Sequence, residues 1–118
     1  MNVLVVGLEG VGVRGVAGSL DEIGSDTAVQ ILELSQRQVA DPSTRLRVGK
    51  LVPDLIVLVT DSTQENVTKS RDLVKILNKQ FRGVEKIAIA NRPNQPGLLS
   101  VEEIGAVLGL TTYERPTS

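Results

Sequence analysis

Leu55-Ile-Val-Leu-Val59 is apolar at every position, and this run narrows the possible folds more than any other feature of the chain. Successive side chains of a strand point to opposite faces, so a half-exposed strand alternates apolar and polar residues. A run without alternation suits a parallel strand covered by helices on both faces. A strand over Asp54 to Thr60 is therefore predicted at the centre of the sheet.

Four further β-rich runs flank it, at Val3 to Val6, Ala28 to Leu34, Lys86 to Ala90 and Thr111 to Glu114, with helical patterns between them. Val13, Val16, Ala17, Leu20 and Ile23 share one helical face, and Gly24 supplies a stop. Asp41 before Pro42 is a cap and first-turn pair for a short helix to about Gly49. In the third helix Ser62 and Glu65 have capping-box spacing. Val67, Leu73, Val74, Leu77 and Phe81 form its apolar stripe, and Lys69, Arg71, Asp72, Lys75 and Lys79 its wet face. Ser100 and Glu103 repeat the box ahead of Val101, Ile104, Val107 and Leu108, with Gly109 closing the helix. The alternation reads as (βα)4β, an α/β class, three-layer, doubly wound parallel five-stranded sheet of Rossmann-like, P-loop NTPase-like type. At 118 residues it forms a single domain, 1–118. Ligands of such sheets bind at the carboxyl ends of the strands, here the loops after Val6, Leu34, Thr60 and Ala90.

Composition removes several function classes. With no Cys and no His, the chain lacks thiol nucleophiles, imidazole bases and the best zinc ligands, so no metal site is expected. Thirteen basic against 14 acidic residues leave no field to hold nucleic acid, and Phe81 and Tyr113 are the only aromatics available to stack on bases. No basic leader precedes the first strand, and no apolar run approaches the roughly 20 residues that span a bilayer, so a cytoplasmic protein without membrane insertion is expected.

The loop after the first strand carries the clearest functional signal. Gly7, Gly10, Gly12 and Gly15 lie in VLVVGLEGVGVRG, where glycines let backbone N–H groups turn toward an anion at a helix start. Gly7 and Gly12 have the spacing of G-x-x-x-x-G-K-[ST], but Val13 stands at the lysine position and Arg14 at the hydroxyl position. Loss of the lysine alone should cost roughly 10- to 100-fold in phosphate affinity. Loss of the hydroxyl removes a magnesium ligand. Gly7, Gly10, Val11, Gly12, Val13 and Arg14 are thus candidates for phosphate contact without hydrolysis. A dinucleotide reading, G-x-G-x-x-G, meets Glu9 where the second glycine belongs and has only Glu33 as its later acidic residue.

The stretches PDLIVLVTDSTQENVTKSRDLVKIL and KIAIANRPNQPGLLSVEEIGAVLGL resemble the carboxyl-terminal half of MinD/ParA-type P-loop ATPases, particularly those of the CpaE/TadZ kind. The segment Ala40 to Arg45 is similar to the loop after their Walker B strand, with Glu33 near the usual aspartate. The chain departs from that family where Leu8 and Val13 replace the two signature lysines, where a strand and switch region are absent, and where it ends at Ser118 before the last helices. Arf-like small GTPases are the near rival, because Asn91-Arg-Pro-Asn94 stands where their N-K-x-D motif falls. Asn91, Arg92 and Asn94 are accordingly base-side candidates, although Asn94 cannot accept from both guanine donors as a carboxylate does. Asn91 is alternatively a polar clip on the phosphate loop.

Removing one edge strand from that fold leaves the order 2-1-3-4-5, shared with receiver domains. A receiver would need an acidic pair, an aspartate, a hydroxyl and a lysine. Here Asp61 alone is well placed, Glu9 is a poor half of the pair, Asn91 replaces the hydroxyl and Arg115 the lysine, so Asp61 is read as a cap of the third helix ahead of a phosphoacceptor. The resemblances imply a non-hydrolysing protein-binding or regulatory module with no cofactor beyond weak ATP or GTP binding. The alternative is a minimal ATPase or GTPase using Arg14 and Glu33. A protein partner is expected, a second copy included, through the shortened sheet edge. Arg37, Arg45, Arg47 and Lys50 are read as one basic cluster beside the second loop.

Overall fold

The computed structural model describes residues 1–21, 26–92 and 95–116, without the side chains of Asp21 and Pro116. In chain order the elements are β1 (Asn2–Leu8), α1 (Val13–Asp21), β2 (Ala28–Leu34), α2 (Gln36–Ala40), α3 (Pro42–Val48), β3 (Leu55–Asp61), α4 (Gln64–Gln80), β4 (Glu85–Arg92), α5 (Val101–Leu108) and β5 (Thr111–Pro116). All five strands are parallel in the order β2-β1-β3-β4-β5, the doubly wound arrangement expected from the sequence. The apolar run is at the centre: Ile56, Val57, Leu58 and Val59 are each buried, as two covered faces require.

The two faces are covered unequally. Arg115 reaches the carbonyl of Gly15 in α1, whereas Thr112, of opposite strand parity, lies against Gly105 in α5. So α1 and α5 sit on opposite sides of the sheet. Helix α4 packs on α5, and α2 and α3 pack on α4, which puts four helices on one face and α1 alone on the other among the described residues. Helix α1 covers β1, β2 and part of β3. Beyond it, the register aligns Ile87 with Thr111 and Ile89 with Tyr113, and this strip stays partly open, with Tyr113 54% exposed.

Local chemistry sets the helix ends. Asp41 caps α3 by accepting the Ser43 N–H at 2.9 Å, ahead of Pro42. Ser100 and Glu103 form the expected box on α5, and Gly109 closes that helix at φ +70°. Two readings need correction. Helix α2 is an element not foreseen, begun by a second capping box between Ser35 and Gln38. Helix α4 is capped by Thr63 and not by Ser62, because the Ser62 hydroxyl turns inward and donates to the Asn91 carbonyl at 3.0 Å. Glu65 instead pairs with Lys69 at 2.8 Å, four residues on. The five-residue face foreseen for α1 holds for Val13, Val16 and Ala17, which are buried, and Leu20, which is half-buried; Ile23 and the stop at Gly24 lie outside the described residues.

Candidate functional site

The glycine loop joins β1 to α1 at the carboxyl edge of the sheet. A Cβ at Gly7 would lie 2.5 Å from the Val59 carbonyl oxygen and 2.8 Å from a Val13 methyl, so only glycine lets β1 pass this close to β3. Gly10 and Gly12 adopt φ of +87° and +94°, the left-handed region that other residues avoid. Both valines of the loop are turned inward. Val11 is 2% exposed and Val13 1%. The side chain at the lysine position is therefore part of the core and points away from the space over the loop.

Asn91 fixes this arrangement. Its Nδ2 donates to the Val11 carbonyl at 2.7 Å, and its Oδ1 accepts from Arg115 Nη1 at 3.3 Å. The second guanidinium nitrogen, Nη2, reaches the Gly15 carbonyl at 3.3 Å and the Ser19 hydroxyl at 3.4 Å. A Cβ at Gly12 would approach Asn91 Nδ2 to 2.5 Å, so the clip and the glycine require each other. Asn91, buried at the end of β4, thus joins the loop to β5 through one amide and one guanidinium. This is the polar clip that the sequence allowed.

Arg14 is engaged by Glu33. Its Nε lies 2.7 Å from Glu33 Oε1, tying the first turn of α1 to the end of β2, with the Arg14 side chain 78% exposed. Glu9 is exposed, and its N–H donates to the Leu34 carbonyl at 3.0 Å. Gly7, Gly10, Val11, Gly12, Val13, Arg14, Glu33 and Asn91 therefore gather around one loop. Arg92 does not join them. It follows Asn91 along the strand and points to the opposite face, donating through Nη1 to the Leu99 carbonyl and lying 3.6 Å from the Glu114 carboxylate. Asn94 lies outside the described residues. Asp61 accepts the N–H and hydroxyl of Thr63 and the Nδ2 of Asn66, which makes it part of the α4 cap. The basic cluster separates: Arg45 and Arg47 line different depressions, one toward α4 and the other between α3 and β2.

The acidity of Asp41 is shifted by its role as the α3 cap. The Ser43 backbone N–H, then the Ser43 hydroxyl, hold its carboxyl below the usual carboxylate range, with Arg47 adding a smaller effect. The sequence offers Arg115 only as a stand-in for a receiver lysine. Its part in the clamp has no local signal in the sequence, because the Arg115 to Gly15 contact spans 100 residues.

Fold and loop together define a Rossmann-like α/β protein with an order of 2-1-3-4-5 and a closed β1–α1 turn. Comparison with protein-family models and with curated proteins finds no match to the chain. No helix among the described residues is long and apolar enough to cross a membrane.

Proposed function

We propose that this domain is a non-hydrolysing, P-loop-like module, a degenerate and shortened relative of MinD/ParA-type P-loop ATPases, with Arf-like small GTPases as the near rival, that works by binding a protein partner or as a regulatory module. One observation carries the reading. Val13, at the position of the phosphate-binding lysine, packs against Gly7 inside the core while the Asn91 amide holds the Val11 carbonyl. A lysine at that position normally supplies charge-assisted bonds to the outer phosphates. Neither that charge nor a metal-binding hydroxyl is available here, so phosphoryl transfer lacks its main electrostatic stabilisation. At most a weak contact of ATP or GTP with the exposed backbone at Gly10 and Gly12 remains.

The alternative of a minimal ATPase or GTPase would need Arg14 to replace the lysine. Its pairing with Glu33 at 2.7 Å and its exposed position on the rim of the loop weigh against that role. Two measurements test the reading, phosphate release from magnesium-ATP and magnesium-GTP and isothermal titration of each nucleotide. No turnover and no binding in the micromolar range are the expected results. Turnover that is abolished by Arg14→Ala would overturn it in favour of the enzyme.

A further inference from the structure

Helices α2, α3 and α4 together border a surface groove of about 400 Å³ that the closed loop does not use. Its floor is apolar: Leu8 from the end of β1, Val39 from α2 and Ile76 from α4 are all buried. Its rim is cationic. Lys69, Lys75 and Lys79 on α4 face Arg45 on α3, and Asp72 is the single carboxylate in the lining. The chain as a whole has a formal net charge of −1, so this excess of four cations over one acid is local.

Internal pairing leaves much of that charge unspent. Lys69 is held by Glu65 at 2.8 Å, and Lys75 lies a loose 3.9 Å from Asp72. Arg45 and Lys79 enter no ion pair among the described residues. An apolar floor between cationic walls matches a segment that carries apolar side chains between carboxylates. A free small anion would leave the floor unfilled, and a nucleic acid would find no aromatic side chain in the groove on which to stack a base.

We infer that this groove is the docking site for an acidic, amphipathic peptide segment of a partner protein, seated by Leu8, Val39 and Ile76 and held by Arg45, Lys75 and Lys79. The inference rests on the reading of the domain as a protein-binding module and gives that module a surface and a partner chemistry. Charge complementarity selects the segment, and the apolar floor gives it a place to bury its side chains.

The test uses the full chain and two fluorescein-labelled peptides of about 18 residues, with leucines at helical spacing and either glutamates or lysines elsewhere. Fluorescence anisotropy at about 50 mM salt should show saturable binding of the glutamate peptide and at least tenfold weaker binding of the lysine peptide. Arg45→Glu combined with Lys79→Glu should weaken the glutamate peptide by about tenfold or more, and Lys75→Glu should weaken it by a smaller factor. All three positions are exposed, so unchanged circular dichroism spectra should accompany the loss. The inference is overturned if neither peptide binds, if both bind alike, or if the double variant binds as well as the wild type. It is equally overturned if inorganic phosphate or single-stranded RNA displaces the peptide at matched ionic strength, or if sedimentation shows a wild-type dimer that the double variant dissociates, which would make a second copy the occupant. Nucleotide turnover bears on the proposed function. A failure of peptide binding with no turnover removes the groove alone.

Discussion

Asn91 and Val11 are 80 residues apart in sequence and are joined by a 2.7 Å hydrogen bond from the Asn91 amide to the Val11 carbonyl. Both are buried, so removing the donor leaves a carbonyl with neither water nor protein to satisfy it. Asn91→Ala should lower stability by about 1–3 kcal/mol, measured by urea denaturation, because an orphaned buried acceptor retains its full desolvation cost. Unchanged stability would mean that the clip does not hold the loop.

Gly10 and Gly12 separate backbone strain from crowding. Both have positive φ, but a Cβ at Gly10 would meet open space and one at Gly12 would meet the Asn91 amide at 2.5 Å. Gly10→Ala should cost about 1 kcal/mol from the left-handed backbone alone. Gly12→Ala should cost more, by about 1–2 kcal/mol further, because the clip must also shift. Equal losses in chemical denaturation would contradict the close approach.

Restoring the missing lysine provides a different probe of the same loop. Val13 is buried against Gly7, so Val13→Lys would place an ammonium in the core without a partner. A loss of about 3 kcal/mol or more is expected, seen as a lower melting temperature, without any gain of nucleotide binding. A stable Val13→Lys protein that binds magnesium-ATP would show that the loop opens readily.

How much of this was legible in the sequence follows from the range of each interaction. The apolar run at Leu55 to Val59, the Asp41-Pro42 start and the Ser100 to Glu103 box are local patterns, and the structure carries all three. Ser62 looked like the cap of α4 because its spacing to Glu65 fits. The choice between Ser62 and its neighbour Thr63 depends on the Asn91 carbonyl, 29 residues away, which takes the Ser62 hydroxyl. Helix α2 is five residues long, too short for periodicity to reveal, although Ser35 and Gln38 carried its cap signal. At the site, glycine spacing and the absent lysine were plain. The inward turn of Val11 and Val13 goes with an Asn91 bond from 80 residues away, and the Arg115 contact to Asn91 with the register of β4 on β5, neither of which a local pattern encodes.

Thr44 is 2% exposed, and its hydroxyl has no hydrogen-bond partner among the described residues. Thr44→Val keeps the shape and removes the unpaired group. A gain of about 1 kcal/mol is the expected outcome in urea denaturation. A loss would indicate that the hydroxyl is satisfied in solution.

Asp41 sets the pH response of α3. Hydrogen bonds from Ser43 favour its ionised form in the folded chain, so its folded pKa lies below the unfolded value. The stability this contributes is fully present above the unfolded carboxylate value near 4 and is lost as pH falls through the lowered folded value. Carboxyl carbon chemical shifts followed from neutral to acidic pH should show Asp41 titrating below the ordinary aspartate range. Asp41→Asn should flatten that part of the stability profile. A normal Asp41 titration would argue against the cap.

The closed loop itself is best tested by the amide resonances of Gly10, Gly12 and Val13 together with the Asn91 side-chain amide, recorded as magnesium-ATP and then magnesium-GTP are raised to millimolar concentration. No change that saturates in the micromolar range, and no release of the Asn91 amide, is expected if Val13 fills the loop and Asn91 holds it shut. Saturable shifts in the micromolar range, with the Asn91 amide released from Val11, would contradict the account.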